Sequence, residues 1–201
     1  MTSQSDRIII GISGASGAVL GIRALQLLQK TPIETHLVIS KAAALTIGSE
    51  TDHKIEDIKK LADQVYPATD ISAAISSGSF KTRGMLIAPC SIKTMGEISS
   101  GVTSNLLSRA ADVVLKERRR LVLMLREAPL HAGHLKSALN VTEMGAIISP
   151  PVPSFYTRPK DVEEMITQIV ARSLDLFNID CLEMKRWGED IDLNGERNRS
   201  E

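Results

Sequence analysis

The apolar positions of this chain fall in short runs that alternate with stretches of helical spacing. Ile8-Ile9-Ile10 is the first run, and it empties into the small-residue turn Gly11-Ile12-Ser13-Gly14-Ala15-Ser16-Gly17. Val19, Ile22, Leu25, Leu27 and Leu28 then mark a helix over 18–29, which Thr31-Pro32 closes. Ile33 to Ile39 reads as a second strand, and Ser40 is placed to cap a helix from Lys41 to about Ser49. Ile55 to Gln64 is expected to be helical, and Ile71 to Phe80 to be a loop with a short helix. Gly84 to Ala88 is a short buried strand that breaks at Pro89-Cys90-Ser91, with a helix following from Ile92 to Ser100. A long helix is expected over Ser104 to Arg119, with Leu106, Leu107, Ala110, Val113 and Val114 turned inward. Leu121 to Leu125 is the next strand, Leu130 to Met144 a helix stopped by Gly145, and Ala146 to Ser149 a further short strand. The prolines of SPPVPSFYTRP stiffen the loop that precedes a last helix, Asp161 to Asn178.

Strands alternating with helices imply an α/β fold, a parallel sheet with helices on both faces, and ligands in such folds sit beyond the carboxyl ends of the strands. Five expected strands end at stretches with chemical potential: Gly14 to Gly17, Ser40, Pro89 to Thr94, Arg126-Glu127 and Pro150 to Arg158. One pocket at that edge can hold them all. The length suits one domain, taken as residues 1–187, followed by a charged and flexible tail over 188–201.

Charge narrows the partners. Lys and Arg total 24 against 24 Asp and Glu, so no basic surplus points to nucleic acid or an anionic membrane, and small molecules are favoured. Cys90 and Cys181 lie far apart and outside any zinc-ligand spacing. With neither a signal peptide nor a spanning apolar run, the expectation is a reducing compartment, the cytoplasm.

The glycine-rich turn before the first helix suits a mononucleotide phosphate, because glycines allow close backbone approach and the helix offers unpaired N–H groups; it equally suits a plain strand-to-helix turn. Ser91 and Thr94, at a helix start around Ile92-Lys93, offer hydroxyls and N–H groups to an anion or serve as an ordinary cap, and Ser40 has the same two readings. Arg109, Asp112 and Lys116 share one helical face, suited to a second phosphate or to a solvated salt-bridge row. Arg126 is suited to binding phosphate and Glu127 to moving protons, since a charged pair directly after an apolar strand stands where the sheet opens. Glu50 closes the second helix as a further candidate acid or base. His131 and His134 have a metal-compatible spacing without a third ligand, and a capping or exposed role is favoured.

Taken together, GISGASGAVLGIR, VISKAA, APCSIKTMGEISSG, NLLSRAADVVLKERRRLVLMLREAPL and PPVPSFYTRP resemble the UbiX-type flavin prenyltransferases, over residues 7–187 and in the family's order. LREAPLHAGHL and LDLFNID resemble the branch that accompanies aromatic hydroxy-acid decarboxylases more than the ubiquinone branch. The resemblance implies a three-layer, Rossmann-like or flavodoxin-like flavoprotein with a mainly parallel sheet. It also implies an enzyme that joins the dimethylallyl group of dimethylallyl monophosphate to N5 and C6 of reduced FMN. The product, prenylated FMN, would serve a UbiD-type decarboxylase. The family implies a homo-oligomer, typically a dodecamer, with sites completed by neighbouring subunits.

Carried onto this chain, the family's FMN contacts are Gly14, Ala15, Ser16, Ser40, Ser91, Ile92, Lys93, Thr94 and Arg126. Arg109, Lys116, Arg126, Glu127, Tyr156 and Arg172 match the surroundings of the prenyl phosphate, and Ser16, Glu50, Lys116, Glu127 and Trp187 are the expected catalytic set. Cationic side chains would do the work given elsewhere to magnesium, so no metal is expected. Trp187 offers a π face to an allylic cation, or simply docks the tail.

Two other functions compete. An FMN-dependent cysteine-peptide decarboxylase would carry a Pro-x-Met-Asn-x-x-Met-Trp motif and a His after the first loop, and the chain has neither. A non-catalytic flavin-binding subunit would have no need of Lys116, Glu127, Tyr156 and Arg172.

Overall fold

A computed structural model describes residues 6–191. Six parallel strands form one sheet: β1 (Arg7–Ile12), β2 (Glu34–Ile39), β3 (Gln64–Pro67), β4 (Gly84–Cys90), β5 (Arg120–Leu125) and β6 (Ile147–Ile148). Their spatial order is β3-β2-β1-β4-β5-β6, so the direction of winding reverses between β1 and β4. The crevice beyond that reversal is where a doubly wound sheet takes its ligand.

Alternation along β1 shows how the layers form. Ile8, Ile10 and Ile12 point to one face, beneath α1 (Val19–Leu28) and α7 (Val162–Asp175), with α2 (Lys41–Glu50) and α3 (Ile55–Lys59) adding Ala43, Ile47 and Ile58. Ile9 points to the other face, where α4 (Ile92–Ser100), α5 (Leu106–Lys116) and α6 (Ala132–Glu143) add Met95, Leu107 and Val141. Strands buried on both sides carry unbroken apolar runs, as β4 and β5 do. The flavodoxin-like three-layer α/β reading therefore stands, with every strand pair parallel.

Three expectations are corrected. The helix expected over Ile55 to Gln64 ends at Lys59, and Gln64 instead opens an edge strand, the sixth, whose residues are largely exposed and so show no apolar run. The third expected strand does not stop at Ala88 but continues through a cis Ala88-Pro89 bond to Cys90. The long helix spans Leu106 to Lys116 only: the Asn105 carboxamide caps its start, accepting from Leu107 N–H at 2.8 Å, and Arg118 turns left-handed after its end at φ 56°.

Beyond α7 the chain folds back along that helix. Gln168 Nε2 donates to the Glu183 carbonyl at 2.6 Å, Lys185 N–H donates to Gln168 Oε1 at 3.0 Å, and Lys185 pairs with Glu164. Most of the tail assigned to 188–201 lies outside the described residues. No described helix is long and apolar enough to cross a membrane.

Candidate active site

The carboxyl ends of β1, β2, β4 and β5 surround a cleft of about 640 Å³, and its lining includes Gly14, Ser40, Ser91, Ile92, Lys93, Thr94 and Glu127. A volume of that size lies in the range of cofactor sites. Lys41, Ala42, Leu45, Ala68, Thr69, Asn105 and Leu107 complete the wall. Leu45, Ile92 and Leu107 give it apolar surface for a ring system; Ile92 is an expected flavin contact and Leu107 is expected only as an inward-facing residue, whereas the sequence does not single out Leu45.

Two helices point their N-termini into this cleft. At the start of α2 the Ser40 hydroxyl accepts from Ala43 N–H at 3.0 Å, and at the start of α4 the Ser91 hydroxyl accepts from Thr94 N–H at 3.2 Å and donates to Thr94 Oγ1 at 3.1 Å. Each serine satisfies one donor, leaving the other first-turn N–H groups and the positive end of the dipole for an anion. The capping reading of Ser40 and Ser91 is met, and these caps leave first-turn N–H groups open for the anion reading. Gly14 lets the first loop approach α2: a Cβ there would lie 2.3 Å from the Ala42 Cβ. Lys93 contributes its backbone, since its ammonium is held by Glu97 at 2.6 Å. The Ser104 hydroxyl also donates to that Glu97 oxygen at 2.6 Å, tying α4 to the segment that enters α5. Burial pushes the Glu97 carboxyl up, but the bonds from Lys93 and Ser104 outweigh it and the carboxyl titrates below its ordinary range.

The N-terminus of α1 is different, and here the phosphate-loop expectation is corrected. No side chain of its own caps it; Glu50, from the end of α2, accepts from Gly17 N–H at 2.8 Å and Ala18 N–H at 3.3 Å. Desolvation raises the Glu50 carboxyl, yet the hydrogen bonds from Gly17, the Ser16 hydroxyl and Ala18, with the charge of Arg126, leave it below the usual range. An internal carboxylate thus takes the helix end that the glycine motif seemed to reserve for a phosphate. Ala15 is buried within the same turn, while Ser16, Glu50 and Arg126 gather at its mouth.

Arg126 and Glu127 follow β5 directly and both face solvent. Arg126 N–H donates to the Cys90 carbonyl at 3.0 Å, which fixes the pair beside the turn between β4 and α4, and Glu127 Oε1 accepts from Ala128 N–H at 3.0 Å. Cys90 itself is no nucleophile: burial pushes its thiol up to about 12. His131 is the cap of α6, its Nδ1 accepting from Gly133 N–H at 3.0 Å, as the capping alternative held.

The remaining candidates are not on the cleft wall of this chain. Arg109, in the first turns of α5, pairs with Asp112 at 2.8 Å. Lys116 ends α5 next to Gly78 and pairs with Glu117; it lies at the amino edge, where Arg120 and Gly84 begin β5 and β4. The six residues of β5 put roughly 20 Å between that edge and Glu127. The expectation that Lys116 joins Glu127 is not met within one chain. Arg172 pairs with Asp175 at 2.9 Å. Tyr156 and Trp187 meet edge to face, ring centroids 5.3 Å apart, both partly open to solvent.

Comparison with known proteins places this architecture. The Flavoprotein family model matches residues 1–174. The flavin prenyltransferase UbiX of Escherichia coli K12 is 55% identical over 184 residues, covering 90% of this chain and 97% of that protein. The Thauera aromatica flavin prenyltransferase UbiX is 53% identical over 181 residues, 90% of this chain and 93% of its own length. A crystal structure of AnUbiX (PadA1) in complex with FMN and dimethylallyl pyrophosphate superposes with a TM-score of 0.90 at 49% identity, covering 91% of this chain and 97% of that one. A dodecameric FMN-dependent UbiX-like decarboxylase from Escherichia coli O157:H7 gives a TM-score of 0.88 at 46% identity, covering 90% and 98%. By its sequence and its fold, the chain belongs to the flavoprotein family and, within it, to the UbiX flavin prenyltransferases.

Proposed function

We propose that this enzyme transfers the dimethylallyl group of dimethylallyl monophosphate to N5 and C6 of reduced FMN and hands prenylated FMN to a UbiD-type decarboxylase in the cytoplasm. The observation that carries the reading is the cleft itself, which has the open N-termini of α2 and α4 and Glu127 on its wall, with the cluster of Glu50, Ser16 and Arg126 at the turn that follows Gly14. The residues present suit FMN, because the N–H groups after Ser40 and Ser91 accommodate its phosphate and Leu45, Ile92 and Leu107 accommodate a flat ring. Reduced FMN, a substrate here, supplies the nucleophilic nitrogen and carbon.

The chain's own groups do the rest. Arg126 stabilises the charge that grows on the phosphate oxygen as the C–O bond breaks. Glu127, acting at the cleft wall, takes the proton that C6 gives up. Glu50, held as a carboxylate, orients the Ser16 turn and keeps a negative charge next to the developing allylic cation. Gly14, Ala15 and Ser16 form the floor beneath the ring.

Arg109, Lys116, Tyr156, Arg172 and Trp187 act, in this reading, in the site of a neighbouring copy within a dodecamer. What supports this is their position away from this chain's own cleft, together with exposed apolar side chains such as Leu135, Leu139, Val152 and Phe155 that assembly would cover. Anaerobic incubation with reduced FMN and dimethylallyl monophosphate tests the function. Mass spectrometry of the extracted flavin is expected to show a gain of one C5H8 unit with one phosphate released. Recovery of unmodified FMN from a protein that binds it tightly would instead leave a flavin carrier.

A further inference from the structure

We infer that Ser13 is a positioning residue that locks the two walls of the cleft together. The residue is 1% exposed, and it lies one residue beyond the end of β1. The ladder between β1 and β4 runs only to Gly11 opposite Ile87, because Pro89 has no N–H to continue it. Ser13 replaces the missing rungs. Its N–H and its hydroxyl both donate to the Pro89 carbonyl, at 3.3 and 2.8 Å, and the hydroxyl accepts from Ser91 N–H at 2.7 Å. One buried oxygen thereby joins the loop that carries Gly14, Ala15 and Ser16 to the turn that carries Ser91 and the start of α4.

The connection extends one step further. Ser91 N–H follows Cys90, whose carbonyl accepts from Arg126 N–H at 3.0 Å. Ser13 therefore fixes, through three consecutive residues of β4 and its turn, how the α4 N-terminus stands relative to Arg126 and the glycine turn. Nothing about Ser13 calls for contact with a ligand: its donor and its acceptor are committed to backbone, and the residue is sealed from the cleft. A hydroxyl so placed controls geometry, and loss of it leaves the Ser91 N–H without this partner and the Pro89 carbonyl with only the longer bond from Ser13 N–H. The α4 turn is free to reposition to satisfy them, at the expense of the alignment of its N–H groups.

The inference rests on FMN binding in this cleft, and the test separates the two. Flavin binding is measured by fluorescence quenching, with visible circular dichroism of the bound flavin, in the full chain and in Ser13→Ala, Ser13→Thr and Val141→Ala. Val141→Ala opens a cavity in the core under α6, away from Ser13, and reports what general destabilisation alone does. Ser13→Ala is expected to bind FMN about tenfold more weakly than the parent, with an altered flavin dichroism, whereas Ser13→Thr, which keeps the hydroxyl, stays within about threefold. Val141→Ala is expected to lower the melting temperature without moving either flavin signal. Equal FMN affinity and dichroism in Ser13→Ala and the parent would overturn the positioning role, as would the same loss in Val141→Ala. If Ser13→Ala does not fold, Ser13→Cys decides, since its longer and weaker contacts are expected to give an intermediate affinity and parental affinity there overturns the inference. A parent that binds no FMN refutes the flavin reading itself.

Discussion

The helix N-termini on the cleft wall and the one that follows the glycine turn use the same structural device in opposite ways. Helices α2 and α4 meet it with serine caps that each spend a single donor, so the remaining N–H groups face the cleft. Helix α1, which follows the glycine-rich turn, has its N–H groups taken by Glu50. The difference teaches that a glycine loop ahead of a helix does not by itself mark where a phosphate lies. The anion that a helix end attracts can come from the protein, and a carboxylate installed there stays charged and stationary beside whatever reacts.

Breaking the comparison begins with Glu127. Glu127→Gln is expected to lower turnover, followed by phosphate release, by roughly 100-fold or more while FMN affinity stays within about threefold. Normal turnover would remove the residue from the mechanism, and parallel loss of both would mean that Glu127 does not act separately from flavin binding. Next comes Gly14→Ala, whose methyl must displace the Ala42 Cβ: urea unfolding is expected to register a loss of about 1–3 kcal/mol, with weaker FMN binding that Ala42→Gly restores. Arg126→Ala is expected to weaken binding of both phosphates by about tenfold, measured by calorimetry with FMN and with dimethylallyl monophosphate.

The smallest effect tests the Glu50 cap by pH. Its folded-state pKa lies below the ordinary 4.5, so the cap contributes fully above that value and is lost as the pH falls through the lower one. Melting temperatures between pH 3 and 7 are expected to drop more steeply at the acid end in the parent than in Glu50→Gln. Because the carboxylate is solvent-facing, the difference should stay below about 1 kcal/mol.

How much of this was legible in the sequence depended on how local the signal was. β1, β4 and β5 are buried on both faces and announce themselves as apolar runs, and the serine caps stand where a polar residue precedes a helical period. β3 stayed hidden because Gln64-Val65-Tyr66-Pro67 lies at the sheet edge, where pairing rather than burial makes the strand. Lys116 shared a helical face with Arg109, but spacing along α5 says nothing about which end of the sheet each residue reaches. Ser13 and Glu97 were missed for the same reason: their partners, Pro89 and Ser91 in one case and Ser104 in the other, become neighbours only after the chain has crossed over. The family motifs carried information that no local rule contains, and the Glu50 cap shows what motifs leave out.

The buried thiol at the end of β4 bears on how long such an enzyme lasts. Reduced flavin that meets oxygen yields peroxide, and a sulfur at risk is one present as thiolate within reach of it. Cys90 stands one residue from Ser91 on the cleft wall, yet burial pushes its thiol up to about 12, far from the reactive anion at neutral pH. Next to Ser91 the chain thus places a fully buried side chain that packs as a small hydrophobe and offers little thiolate to an oxidant formed in the cleft.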